Sequence, residues 1–164
     1  MKLFYADGSG ISMIPNVPYA WQEIGTRISV PSFKSKCLNL FGIWDANKDL
    51  NLYSIEGSLT SEVVIEYIDD FSKRIEGKAV IVIDNAPIHT SKLFKNKILE
   101  WETKNLEIFF LPSYSPKLNL IEHLWRFIKY EWIEFSVYEK WENLVHYINR
   151  IAENFGSEYT INFV

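Results

Sequence analysis

The stretch Ala79-Val80-Ile81-Val82-Ile83-Asp84-Asn85-Ala86-Pro87 decides the fold. Four consecutive β-branched residues with no polar residue on either face predict a strand buried on both sides. Such a strand belongs in a sheet with helices packed on both of its faces. An aspartate follows it at once, and in α/β sheets ligands bind beyond the carboxyl ends of the strands. Asp84 is therefore a candidate site residue. The plain alternative is a residue that starts a turn or caps a helix.

Outward from this strand the chain alternates. Residues 3–6 predict a first strand ending on Asp7-Gly8, and 37–45 and 50–56 predict an antiparallel hairpin about the turn-forming Asp45-Ala46-Asn47-Lys48-Asp49. Residues 60–75 place Val64, Tyr67, Ile68, Phe71 and Ile75 at helical spacing, and Gly77 ends that element. A helix over 91–103 and a strand over 106–111 follow. Two amphipathic patterns close the chain, one through Ile121, Leu124, Trp125, Ile128 and Trp132, the other from about 138 to 155. This order predicts an α/β fold: a mixed five-stranded sheet flanked by helices, with a parallel half joined to the hairpin, as a single domain over 1–164.

Composition narrows the classes. The 164 residues are 48% hydrophobic and 16% aromatic, enough for a sizeable core and against disorder. No apolar run approaches the ~20 residues that span a bilayer, so no membrane role is expected. The one cysteine, Cys37, leaves no internal disulfide and no zinc motif. A cytoplasmic location follows as the default, nucleoid-associated in a bacterium or archaeon. The net charge of −4 argues on its face against a nucleic-acid partner. Two bound divalent cations would bring the chain near neutrality, and lysines and arginines cluster locally at Lys34 and Lys36, at Lys92, Lys95 and Lys97, at Lys117, and at Arg126 and Lys129.

Three acids stand in stretches that present them: Asp7, Asp84 and Glu122. Two aspartates at strand ends and a glutamate on a helix can converge above one end of a sheet. Carboxylates without a basic neighbour bind hard divalent cations. Two such cations, roughly 3.5–4 Å apart, drive in-line phosphoryl displacement. Each residue has a plainer alternative. Asp7-Gly8 is ordinary turn chemistry, and Glu122 can form an exposed pair with Arg126 worth about 0.3–0.5 kcal/mol. His89 assists the site or bonds a loop carbonyl.

Asp84-Asn85-Ala86-Pro87-Ile88-His89 resembles the second-aspartate motif of the IS630/Tc1/mariner transposases. Leu111-Pro112-Ser113-Tyr114-Ser115-Pro116-Lys117-Leu118-Asn119-Leu120-Ile121-Glu122-His123-Leu124-Trp125 resembles their third-acid motif, with Lys117 where an acid is usual and Leu120 where proline is usual. Trp21-Gln22-Glu23-Ile24-Gly25 is similar to the family's Trp-x-x-x-Gly segment. Asp7-Gly8 stands where many members carry Asp-Glu.

The resemblance implies an RNase H-like catalytic domain. Asp7, Asp84 and Glu122 would be its catalytic residues and the ligands of two Mg2+ or Mn2+ ions. Asn85, His89 and Asn119 would support the site, and Lys117, Arg126 and Lys129 would contact DNA. The implied activity is phosphodiester cleavage and strand transfer on transposon ends and target DNA, with a homodimer in the DNA complex. The helix-turn-helix region that precedes such domains is expected to be absent here, either lost or encoded on a separate chain. The alternatives are a standalone RNase H-like nuclease and a non-catalytic transposase-derived fragment acting as a binding or dimerisation module.

Overall fold

A computed structural model describes residues 1–15, 23–26, 36–46, 49–113 and 115–161. Trp21, Gln22, Lys34 and Tyr114 lie outside the described residues.

Five strands form one sheet: β1 (Lys2–Ser12), β2 (Cys37–Trp44), β3 (Leu50–Ile55), β4 (Ala79–Ile83) and β5 (Leu106–Phe110), in the order β3-β2-β1-β4-β5. β1, β4 and β5 run parallel, and β2 and β3 complete the sheet as an antiparallel hairpin. The expected mixed sheet is present, with β1 at its centre.

Alternation along β2 sorts the core. Leu38, Leu40 and Trp44 face one side, where they meet α4 (Ile121–Phe127) and α5 (Trp141–Glu153) through Ile121, Leu124, Trp125, Leu144, Ile148 and Ile151. Phe41 and Ile43 face the other side, against α1 (Ser61–Ser72) and α3 (Lys92–Thr103), which contribute Val64, Ile68, Phe71, Phe94 and Trp101. Each such fully buried side chain contributes roughly 1.5–3 kcal/mol. The helix starts are capped as their sequences suggest: Thr60 accepts from the Val63 N–H at 3.5 Å, and Ser91 from the Phe94 N–H at 3.1 Å.

Two of the locally clustered cations make contacts within the fold. Lys97 pairs with Asp69 at 3.0 Å and Glu100 at 2.7 Å, while Trp101 Nε1 donates to the same Asp69 at 2.7 Å, joining α3 to α1. Lys36 lies 4.7 Å from the centre of the Trp141 ring.

The elements depart from expectation in three places. β1 does not stop at residue 6. Its antiparallel ladder with β2 carries it through Gly8-Ser9-Gly10 to Ser12, so Asp7 is not a turn residue. On its other edge, pairing with β4 ends at Tyr5–Val82, and Asp7 projects beyond that ladder. The first closing helix changes to a π turn over Ile128–Trp132. The second is shortened to α5 by a 3-10 turn over Phe135–Glu139.

Candidate metal and nucleic-acid site

Asp84 follows β4 directly and begins a tight turn. Its Oδ1 accepts from the Ala86 N–H at 3.0 Å and from His89 Nδ1 at 2.7 Å. His89 is held there because Pro87 starts the short helix α2 (Pro87–Thr90), which turns the imidazole back under the strand end. The imidazole is fully buried, its ring centre 6.3 Å from that of Phe41 and 5.9 Å from that of Phe94. The hydrogen bond from His89 outweighs partial burial and holds the Asp84 carboxyl below its ordinary range. Of the two alternatives open for His89, the structure shows the hydrogen bond to Asp84.

Asp7 lies on the sheet face that α4 covers. Its Oδ1 accepts from the Gly8 N–H at 2.7 Å. Burial pushes its pKa up to about 6, and the nearby charges of Asp84 and Glu122 add to that rise. In the unfolded chain the group titrates near 3.8. Between those two values the folded protein binds more protons than the unfolded one. Stability therefore falls as pH rises through that window, by roughly 3 kcal/mol at most. A bound cation would offset this loss. The expected result is a gap between melting temperatures with and without Mn2+ that widens from pH 5 to pH 7. A gap independent of pH would show that the cation does not engage Asp7.

Glu122 sits in the first turn of α4. The helix reaches the sheet because β2 carries glycine where a side chain would intrude. Gly42 is the cross-strand partner of Asp7, and Ile121 and Trp125 rest on it. Sequence reasoning missed Gly42, although an isolated glycine inside an apolar strand signals a close approach. The Glu122 N–H donates to the Asn119 carbonyl at 3.1 Å.

All three acids line one cavity of about 410 Å³, walled also by Asn85, Leu111, Pro112, Ser113, Ser115 and Asn119. Two amides tie its walls together. Asn85 Nδ2 donates to the Leu111 carbonyl, and Asn119 Nδ2 to the Ala6 carbonyl at 3.1 Å. Oxygen-only donors with mutual charge repulsion are the chemistry that suits Mg2+ or Mn2+. As placed, the acids stand apart: among the described residues, no three carboxylate, thiol or imidazole groups are drawn together tightly enough to hold an ion.

Lys117 and Arg126 line an adjoining shallow groove of about 500 Å³ with Glu122 and His123. Among the described residues neither forms an ion pair, so the Glu122–Arg126 pair that was the plainer alternative for Glu122 is not made. Lys129 is on the π turn, outside that groove. A further cleft of about 330 Å³, at the far end of the sheet, mixes Lys2 and Arg74 with Asp49 and Glu76 and shows no convergent set. No helix among the described residues is long and apolar enough to cross a membrane.

A mixed five-stranded sheet in this order, flanked by helices on both faces, defines an RNase H-like domain of the kind found in transposases and integrases. The pattern of the DDE superfamily endonucleases matches residues 2–145, and the chain belongs to that family. It is similar to a Mos1 transposase in a paired-end complex with the left transposon end, at 17% identity and a TM-score of 0.68, over 96% of this chain and 49% of the other. It is also similar to the catalytic core domain of BIV integrase, at 13% identity and a TM-score of 0.57, over 98% and 87%. Among curated proteins it is 24% identical over 87 residues to the uncharacterized protein y4pE/y4sA of Sinorhizobium fredii (strain NBRC 101917 / NGR234), covering 52% of this chain and 60% of that one. The chain thus spans 49% of the length of that transposase and 60% of the length of the curated relative.

Proposed function

We propose that this chain is the catalytic domain of a cut-and-paste transposase, in which Asp7, Asp84 and Glu122 hold divalent cations and DNA phosphodiesters are cut and rejoined. The observation that carries the reading is the shared cavity, which collects one acid from β1, one from the end of β4 and one from α4. Solved Mos1 paired-end complexes with Mn and with Mg support the choice of ion. When bound, the cations supply Lewis-acid stabilisation of the attacking and leaving oxygens.

The chain's own residues prepare the site. His89 fixes one oxygen of Asp84 and leaves the other for a ligand. Burial of Asp7 leaves little water to screen its own carboxylate, so charge arriving there is felt strongly. Lys117 and Arg126, without an ion-pair partner among the described residues, offer cations along the groove beside Glu122, where a phosphate backbone would lie. Reading of transposon ends is proposed to rest with a helix-turn-helix domain outside the matched region, in the same chain or a partner, with the DNA complex a homodimer.

The test is incubation with Mn2+ and a plasmid carrying the element's inverted repeats, with an upstream domain supplied in trans. Cuts at the repeats and joined strand-transfer products are expected. Cutting of any duplex without joining would favour a standalone nuclease instead. No metal-dependent cutting would favour a binding module.

Phosphate contacts make a separate prediction. Lys117→Ala and Arg126→Ala should each weaken binding equally for end-containing and scrambled duplexes. Each should also lower the slope of log affinity against log salt by about 1. Titrations at several salt concentrations measure this, and an unchanged slope would remove that residue from the DNA path.

A further inference from the structure

We propose that Asn119 is a positioning residue of the cation site. Its side chain sets Glu122 against Asp7, and its Oδ1 receives a hydrogen bond from a water in the cavity once a cation is bound. The inference rests on the reading of Asp7, Asp84 and Glu122 as cation ligands.

Asn119 is 3% exposed, one of very few polar residues buried among the described residues. It touches three segments at once. Its N–H donates to the Pro116 carbonyl at 2.9 Å, closing the short turn over Pro116–Leu118. Its carbonyl accepts from the Glu122 N–H at 3.1 Å, at the entrance to α4. Its Nδ2 donates to the carbonyl of Ala6, the residue before Asp7 and just beyond the last β1–β4 pair. One residue therefore links the backbone at Glu122 to the backbone at Asp7.

The Nδ2 bond also fixes which way the amide faces, since only the nitrogen can donate to Ala6. Oδ1 is then left buried with no partner among the described residues. Buried amide oxygens are ordinarily satisfied, and an exception calls for a physical reason. The residue lines the cavity that holds the three acids. Waters around a hard cation are strong donors and need acceptors of this kind. A neutral oxygen supplies one without adding a fourth negative charge to a site where burial and like charges already raise Asp7.

The experiment is calorimetric titration of the protein with Mn2+ alone, in parallel with thermal melts without metal. The variants are Asn119→Ala, Asn119→Gln and, as a control on the site itself, Glu122→Gln. Outer-shell partners of metal sites typically govern affinity by 10–100-fold. The Mn2+ dissociation constant is expected to rise at least tenfold in Asn119→Ala. It should rise similarly in Asn119→Gln, which keeps both polar groups but moves them by one methylene. A purely structural role would lower the metal-free melting temperature and leave the affinity of the folded protein unchanged. That result in either folded variant would overturn the proposal, and Asn119→Gln decides the question where Asn119→Ala does not fold. Should the Asn119 variants bind normally while Glu122→Gln binds weakly, the positioning role alone fails. Should the unaltered protein bind no Mn2+, both this inference and the proposed function fail.

Discussion

Asp84→Asn should abolish cation-dependent DNA cutting while leaving the fold in place. The substitution removes one charge from the cavity and preserves shape. A neutral amide oxygen still accepts from the Ala86 N–H and from His89 Nδ1, so the turn after β4 keeps its hydrogen bonds. What disappears is the anionic oxygen that faces the cavity. Loss of a ligand that stabilises charge in the transition state is expected to slow cleavage by about a thousandfold or more, or ~4 kcal/mol of barrier. The metal-free melting temperature should hardly move, because removal of one of three like charges relieves some of the repulsion on Asp7. Single-turnover cleavage with Mn2+, alongside a thermal melt, measures both. Cleavage within a few-fold of the unaltered protein would remove Asp84 from the chemistry.

Gly42→Ala should injure both stability and cleavage, although residue 42 carries no chemistry. A Cβ at that position would stand 2.9 Å from Ile121 Cδ1 and 2.9 Å from Trp125 Cη2. Both side chains belong to the buried core, and a tryptophan ring cannot fold out of the way. Overpacking of this kind costs about 1–3 kcal/mol, and for a domain of this size each kcal/mol lowers the melting temperature by roughly 2–4 °C. The relief available is for α4 to lift away from β2, and α4 carries Glu122 beside Asp7, the cross-strand partner of Gly42. Cleavage measured well below the melt should fall by more than about tenfold, because small misplacements of reacting groups are costly. A variant that melts earlier yet cuts normally would show that the seat of α4 on Gly42 does not aim Glu122.

The parallel half and the hairpin were legible because their signals are local. Val80 to Ile83 leave no polar face, and 37–56 alternates about a turn. Asp84 could be placed because it abuts the least ambiguous strand in the chain. The true extent of β1 was not legible. Gly8-Ser9-Gly10 has the composition of a turn, and only pairing with β2, some thirty residues on, makes it a strand. The π turn was equally hidden, since the apolar residues from Ile121 to Trp132 fit an ordinary helix; its effect is to separate Lys129 from the groove that Arg126 lines. Asn119 was legible only through the family resemblance, as a supporting residue without a partner, and Gly42 was missed. Their roles come from what lies across from them: the Ala6 carbonyl for one, Trp125 for the other.

The bond from Asn119 to Ala6 joins residues 113 positions apart. During synthesis Asp7 emerges before Asp84, and Glu122 emerges last of the three. At roughly 5–20 residues per second, several seconds separate the first aspartate from the glutamate. Even then α4 must dock on the sheet before the cavity closes. On the proposed chemistry, a chain that has not yet reached Glu122 lacks a complete site and cannot cut DNA.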